Sequence, residues 1–334
     1  MIAPDRPGQH RDNFGSEPSV DARKVNPGPI SLAPGDNETF ANAISLAGGT
    51  IAPLSTETKG LIWLSQKHSK ELAEILQKFP TIEWVQLPWA GVDGFSELFA
   101  DLDHAAAPLF TSAKGTYSEP VAEHALALTL TLLRELPRKS REGGWQKERT
   151  GLSLYGNRVV IVGAGGITTE LIRLLEPFRT EITVVRRRND PMPGAAKTVT
   201  ADSLRDVLPE TDVLVLAAAS TSETRHMIGE IELALLPDHA VLVNIARGEL
   251  VDHAALLGAL QSGRLWGAGL DVTEPEPLPS ESPLWGEPNC IVTSHSADTP
   301  LMTVHLLAER IRTNTIAFLG LGEWKGLVDT RAGY

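Results

Sequence analysis

The stretch RVVIVGAGGITTELIRLLEPF (Arg158–Phe178) restricts the possible folds of this chain more than any other segment. Val159–Val162 are four consecutive β-branched apolar residues, which make a strand with no polar face, as in a sheet covered on both sides. Gly163 and Gly165 then turn the chain straight into a helical pattern, TTELIRLLEPF, and a second apolar strand, EITVVRR, follows. Strands joined through a helix run parallel, and parallel sheets are built from such crossovers. DVLVLAA and AVLVNIA continue the alternation.

The first part of the chain repeats this logic. Pro29–Ala33, Gly60–Ser65 and Thr81–Asp93 are expected as buried strands. Ser69–Phe79 is expected as a helix, because Leu72, Ile75, Leu76 and Phe79 recur at helical spacing. EPVAEHALALTLTLLRELPRK predicts one long helix, with Pro120 in its first turn and Pro137 ending it. It is apolar almost all round, so it is expected to be buried, at a subunit interface. REGGWQKERTGLSLYGN reads as a loop or arm, and LMTVHLLAERIRTNTIAFLG as a last helix. A chain of 334 residues exceeds one ordinary core, so two domains are expected.

Composition narrows the function. A net charge of −12 argues against a nucleic-acid or anionic-membrane partner. Cys290 is the only cysteine, which excludes an intramolecular disulfide. No apolar run reaches the roughly 18 residues of a membrane span. Residues 1–28 carry no apolar signal core and read as a flexible extension, so the expected location is the cytoplasm. No metal-ligand pattern stands out.

Gly163 and Gly165, with Gly166 and Ile167 opening the helix, form the kind of turn that sets a helix N-terminus against a pyrophosphate. A turn of this type between strand and helix also occurs as pure structure. Thr168 holds the third position, where glycine or alanine is usual, and is expected to push the helix slightly off the strand. Downstream stand Arg247 in VNIARGELVD, Glu276 in LDVTEPEPLP and His295 in VTSHSAD. A fixed cation can hold a carboxylate, an imidazole can protonate a carbonyl oxygen, and a carboxylate can keep that imidazole charged. These are the parts for reducing a 2-oxo acid. Singly, each has a plainer reading: an ion-paired arginine, a solvated acid (Glu274 equally), a structural histidine at a strand end. The other histidines, His124 and His226 among them, stand in no comparable context.

In this order and context the elements resemble the D-isomer-specific 2-hydroxyacid dehydrogenases, from about Ile30 onward and most closely from Val159 to His295. The resemblance implies an α/β fold of two doubly wound parallel-sheet, Rossmann-like domains with an interdomain active-site cleft. It assigns residues 29–121 and 303–334 to a substrate domain and 122–302 to a dinucleotide-binding domain, in a homodimer built on the latter. It makes Arg247 the substrate-carboxylate ligand, His295 the acid/base and Glu276, five residues after Asp271, its partner. Asp271 is implied to accept from the nicotinamide carboxamide, Ile245 to line the cofactor, and the amides of Gly91 and Val92 to grip the carboxylate. The ribose-binding acid of NAD-dependent members falls on Arg186, followed by Arg187 and Arg188. The acid is absent and a guanidinium suits a 2′-phosphate, so NADP(H) is favoured over NAD(H).

The expected reaction is hydride transfer between NAD(P)H and a small 2-oxo acid, glyoxylate or hydroxypyruvate. Trp89 either limits the substrate side chain or fills the core; Trp145 either reaches a neighbouring subunit or packs locally. Ser294 and Asp298 replace a usual proline and glycine around His295. Phosphoglycerate or phosphite dehydrogenation remains open, as does a non-enzymatic cofactor-sensing regulator on the same scaffold.

Overall fold

The computed structural model describes residues 24–65, 68–104, 106–145 and 147–331, so residues 1–23 of the expected extension lie outside it. The chain divides into two compact units, one running to Tyr117 and resuming at Thr299, the other Ser118–Asp298.

The first unit holds a four-stranded sheet, β1 (Ile30–Ala33), β2 (Gly60–Trp63), β3 (Trp84–Gln86) and β4 (Leu109–Thr111), paired in that order. All three pairings are parallel. Helices Glu38–Leu46, Ser69–Lys78, Ser96–Asp101 and Pro300–Phe318 complete the unit. The last helix is anchored by polar groups as well as by packing. Arg310, fully buried, donates to the carbonyls of Ser112 (2.6 Å) and Lys114 (2.8 Å). Asn314 donates to Gln86 on β3 at 2.7 Å, and Phe318 stacks on Trp84 at 5.1 Å between ring centroids.

The strand expected over Thr81–Asp93 is shorter. Leu87 makes a last ladder bond to Thr111 (2.7 Å), Pro88 has no N–H to continue it, and the chain leaves as a loop to the 3-10 turn Asp93–Phe95. Helix Glu38–Leu46 and strand β4 were not expected. The helix is started by Asn37, whose side chain accepts from the Phe40 amide at 3.1 Å.

The second unit is a seven-stranded sheet: β5 (Arg158–Val162), β6 (Glu181–Arg186), β7 (Lys197–Thr200), β8 (Val213–Leu216), β9 (Val241–Asn244), β10 (Gly267–Leu270) and β11 (Cys290–Val292). Its order is β11-β10-β9-β8-β5-β6-β7, with every neighbour parallel. The direction of winding reverses between β5 and β8. β8, β9 and β10 are buried throughout, which matches their apolar and small-residue runs, interrupted only by Asn244 at the end of β9.

Helix Ser118–Leu133 lies on this sheet, and Gly269 of β10 leaves room for Leu128 and Leu132. The single helix expected to reach Lys139 is in fact two. Glu135 takes a left-handed conformation (φ 52°) and breaks it, and Pro137 falls in the opening turn of a short second helix, Leu136–Lys139. Pro137 therefore starts a helix where it was expected to end one. Among the described residues no helix is long and apolar enough to cross a membrane.

Gly163 is required twice over. Its φ is +114°, and a Cβ there would lie 2.4 Å from the Ala217 carbonyl oxygen, whereas a Cβ on Gly165 would meet nothing within 4 Å. Gly163→Ala is therefore expected to cost about 1–3 kcal/mol or more of stability, and Gly165→Ala to cost much less. Urea unfolding of both variants checks this, and equal midpoints would contradict it.

Candidate active site

Since every strand of the larger sheet runs the same way, all loops that follow strands emerge at its carboxyl edge. In open α/β sheets ligands bind along that edge where the winding reverses, here between β5 and β8. The Gly163–Gly165 turn leaves β5 at this point and opens helix Gly166–Leu175, with Gly166 and Ile167 in its first turn. Thr168 does not push the helix away. It is fully buried and its hydroxyl donates to the Gly163 carbonyl at 3.0 Å, so the substitution ties the helix to the turn.

The Gly163 amide donates to Val185 at 2.8 Å, which brings the end of β6 beside the turn. Arg186 is the last residue of β6; its guanidinium donates to the Asp190 carbonyl at 3.2 Å. Arg187 and Arg188 are exposed, and Arg188 faces Asp190 at 3.6 Å.

β9 ends in Asn244, fully buried despite its polar side chain. Its amide group accepts from the Ala246 N–H (3.1 Å) and donates to the Arg247 carbonyl (2.8 Å), which fixes the loop from Ile245 to Arg247. Arg247 is half-buried, and its guanidinium donates to the Ala246 carbonyl at 2.6 Å. Gly248 follows because a Cβ there would fall 2.0 Å from the Thr273 backbone.

Asp271 follows β10 and is 2% exposed. Its carboxylate accepts from the Thr293 hydroxyl (2.6 Å), the Ser296 amide (2.9 Å) and the Ala297 amide (3.1 Å). Its backbone carbonyl accepts from the His295 amide at 2.8 Å. One buried acid thus holds the whole turn in which His295 adopts φ +48°, a conformation that few non-glycine residues take. In that conformation the His295 Nδ1 lies 2.6 Å from Glu276 Oε1. Glu274, two residues earlier, has different partners. It pairs with Arg225 and with His226 Nε2 (2.6 Å). Those contacts, first among them the His226 hydrogen bond, hold its carboxyl below the usual range.

His295 and Glu276 both stay partly open to solvent. Gly91 and Val92 belong to the first unit, between β3 and the 3-10 turn, where Val92 is buried and its carbonyl caps that turn. Trp89 packs edge-on to Tyr117 at 6.1 Å.

The model of the D-isomer specific 2-hydroxyacid dehydrogenase NAD-binding domain matches residues 125–297. This stretch contains the turn, Arg247, Glu276 and His295. The chain belongs to the D-isomer specific 2-hydroxyacid dehydrogenase family. An uncharacterized protein of Corynebacterium melassecola is 33% identical to this family member over 258 residues, 76% of this chain and 84% of that protein. A glyoxylate reductase of Korarchaeum cryptofilum is 35% identical over 219 residues, 62% of this chain and 65% of its own length. A family dehydrogenase from Xanthobacter autotrophicus Py2, solved with NADPH and MES, matches with a TM-score of 0.78 at 26% identity, covering 92% of this chain and 100% of that one.

Asp298, where the family usually has glycine, is a further carboxyl beside Asp271 and His295 in this candidate site. Burial pushes it up to about 6 from 3.8; the nearby Asp271 carboxylate adds to the shift, while His295 and Arg247 oppose it. The folded protein therefore binds this proton more tightly than the unfolded chain does. Its stabilising contribution is present below the unfolded value and is lost as pH rises through the folded one. Relative to wild type, Asp298→Asn is expected to become progressively more stable between about pH 4 and pH 6, and to keep a constant advantage above that. Urea midpoints of both proteins across this range check it, and a constant difference throughout would contradict it.

Proposed function

We propose that this chain is an NADP(H)-dependent reductase of small 2-oxo acids, glyoxylate or hydroxypyruvate, acting as a homodimer. The observation that carries the reading is the 2.6 Å hydrogen bond between His295 and Glu276 at the carboxyl edge of a dinucleotide-type sheet. The Gly163 turn suits a dinucleotide, because a Cβ would fill it and Gly165 opens on free space. Gly163, Gly165, Gly166 and Ile167 would hold the pyrophosphate, Ile245 would line the nicotinamide, and Arg186 with Arg187 would take the 2′-phosphate. When bound, the reduced nicotinamide supplies the hydride.

Arg247 holds the substrate carboxylate and polarises the carbonyl. His295 delivers a proton from Nε2 to the carbonyl oxygen as negative charge develops there. Glu276 on Nδ1 fixes the tautomer and favours the imidazolium. In the oxidative direction the same imidazole accepts the proton. The K. cryptofilum relative supports glyoxylate as substrate, and the NADPH-bound X. autotrophicus structure supports the cofactor. The exposed apolar residues Leu136, on the short helix, and Trp145, on the arm, support a second copy as partner.

A panel of 2-oxo acids assayed with NADPH and NADH tests the substrate class, and turnover of none of them would contradict it. Arg186→Asp tests the cofactor. It removes a charge-assisted hydrogen bond and sets a carboxylate towards a phosphate, so kcat/KM with NADPH should fall about ten- to hundredfold while NADH use improves. A wild type that already prefers NADH would overturn the assignment of Arg186.

A further inference from the structure

We propose that His124 is a positioning residue that fixes the orientation of His295 through the relay His124–Thr293–Asp271. The inference rests on the proposed reductase function, to which it adds a residue that does not touch substrate or cofactor. His124 sits on helix Ser118–Leu133, on the face towards the end of β11, and is half-buried. Its Nε2 lies 3.0 Å from the Thr293 hydroxyl and 3.5 Å from Asp271 Oδ1.

Proton bookkeeping gives the relay its direction. The single hydroxyl proton of Thr293 goes to Asp271 Oδ1 at 2.6 Å, since the carboxylate, already accepting from the Ser296 and Ala297 amides, acts as acceptor. Thr293 therefore meets His124 as an acceptor, and His124 Nε2 carries the proton. The chain of donation runs from His124 Nε2–H to Thr293, and from Thr293 to Asp271.

Beyond Asp271 lies the turn of His295. The Asp271 carbonyl takes the His295 amide, and its carboxylate takes the two amides that follow. The left-handed conformation of His295 persists only while these bonds hold it. The helix that carries His124 is itself firmly placed. Leu128 and Leu132 seat it on the glycines of β10, and Glu119 pairs with Arg173 of the neighbouring helix at 3.8 Å. His124 thus supplies a fixed donor from a rigid element, and Thr293 converts it into a restraint on a strained turn.

His124→Ala and Thr293→Val are each expected to lower kcat for 2-oxo acid reduction about tenfold, the effect of one lost hydrogen bond, with the Kd for NADPH unchanged. The double variant should be no slower than the worse single variant, because both remove one relay. His124→Gln, which keeps a donor, should recover kcat to within about threefold of wild type. Additive losses, a failed rescue in a folded protein, or wild-type kcat in His124→Ala would each overturn the relay. Proton NMR of the His295 Nδ1–H reads the same geometry without turnover. That resonance, shifted downfield by Glu276 in wild type, should be lost or broadened in His124→Ala and retained in His124→Gln. An unchanged resonance in His124→Ala overturns the relay, whereas a wild type that turns over no 2-oxo acid overturns the reductase reading alone.

Discussion

The larger unit depends on seven strands that all run in one direction. Parallel strands cannot be joined by tight hairpins, so each return is made through a crossover, and every strand ends at the same edge. Gly163, Arg186, Arg247, Asp271, Glu276 and His295 come from five strand–loop junctions or the loops beyond them, yet the topology assigns them all to that edge. The reversal between β5 and β8 spreads the loops on either side and leaves the glycine turn at the centre. Residues as far apart in the chain as Gly163 and His295 thus reach one edge without any of them needing to fold towards another.

Within that frame, one buried carboxylate does the fine positioning. Asp271 spends its acceptors on the turn of His295, and this is what brings an imidazole in a rarely populated backbone conformation to Glu276. Two polar residues at strand ends, Asn244 and Asp271, serve the same purpose for two different loops. Each is buried, each is satisfied by backbone groups, and each fixes a loop that carries a charged side chain. A buried polar group is costly unless fully bonded, so such residues lock a loop into a single conformation. Asp298 adds a further carboxyl beside Asp271 and His295, placed where a proton is held more tightly than usual.

Much of this was legible in the sequence. Apolar runs such as Val159–Val162 and Val241–Val243 announced buried parallel strands, and the glycine turn announced the first βα junction. β4 and β7 escaped because LFT is too short to show a period and KTVT has no continuous apolar run. The break at Glu135 escaped because nothing in its residue type requires a positive φ. Arg247, Glu276 and His295 were legible through their surrounding motifs. The distinction between Glu274 and Glu276 was not legible from the residues alone, since both are acids in one proline-rich loop; it lies in their different partners, His226 and His295. The support provided by His124 and Thr293 was invisible, because a histidine on an apolar helix and a threonine after a strand signal nothing until the fold brings them within 3.0 Å.

The central claim is that His295 transfers a proton to a bound oxo acid and does not hold the dinucleotide. Its most direct test is single-turnover reduction of glyoxylate by His295→Ala, with the Kd for NADPH titrated in parallel. The prediction is a rate about 10²–10⁴-fold below wild type, with cofactor affinity nearly intact. A variant that reduces glyoxylate at the wild-type rate, or one that loses NADPH binding along with turnover, would contradict it.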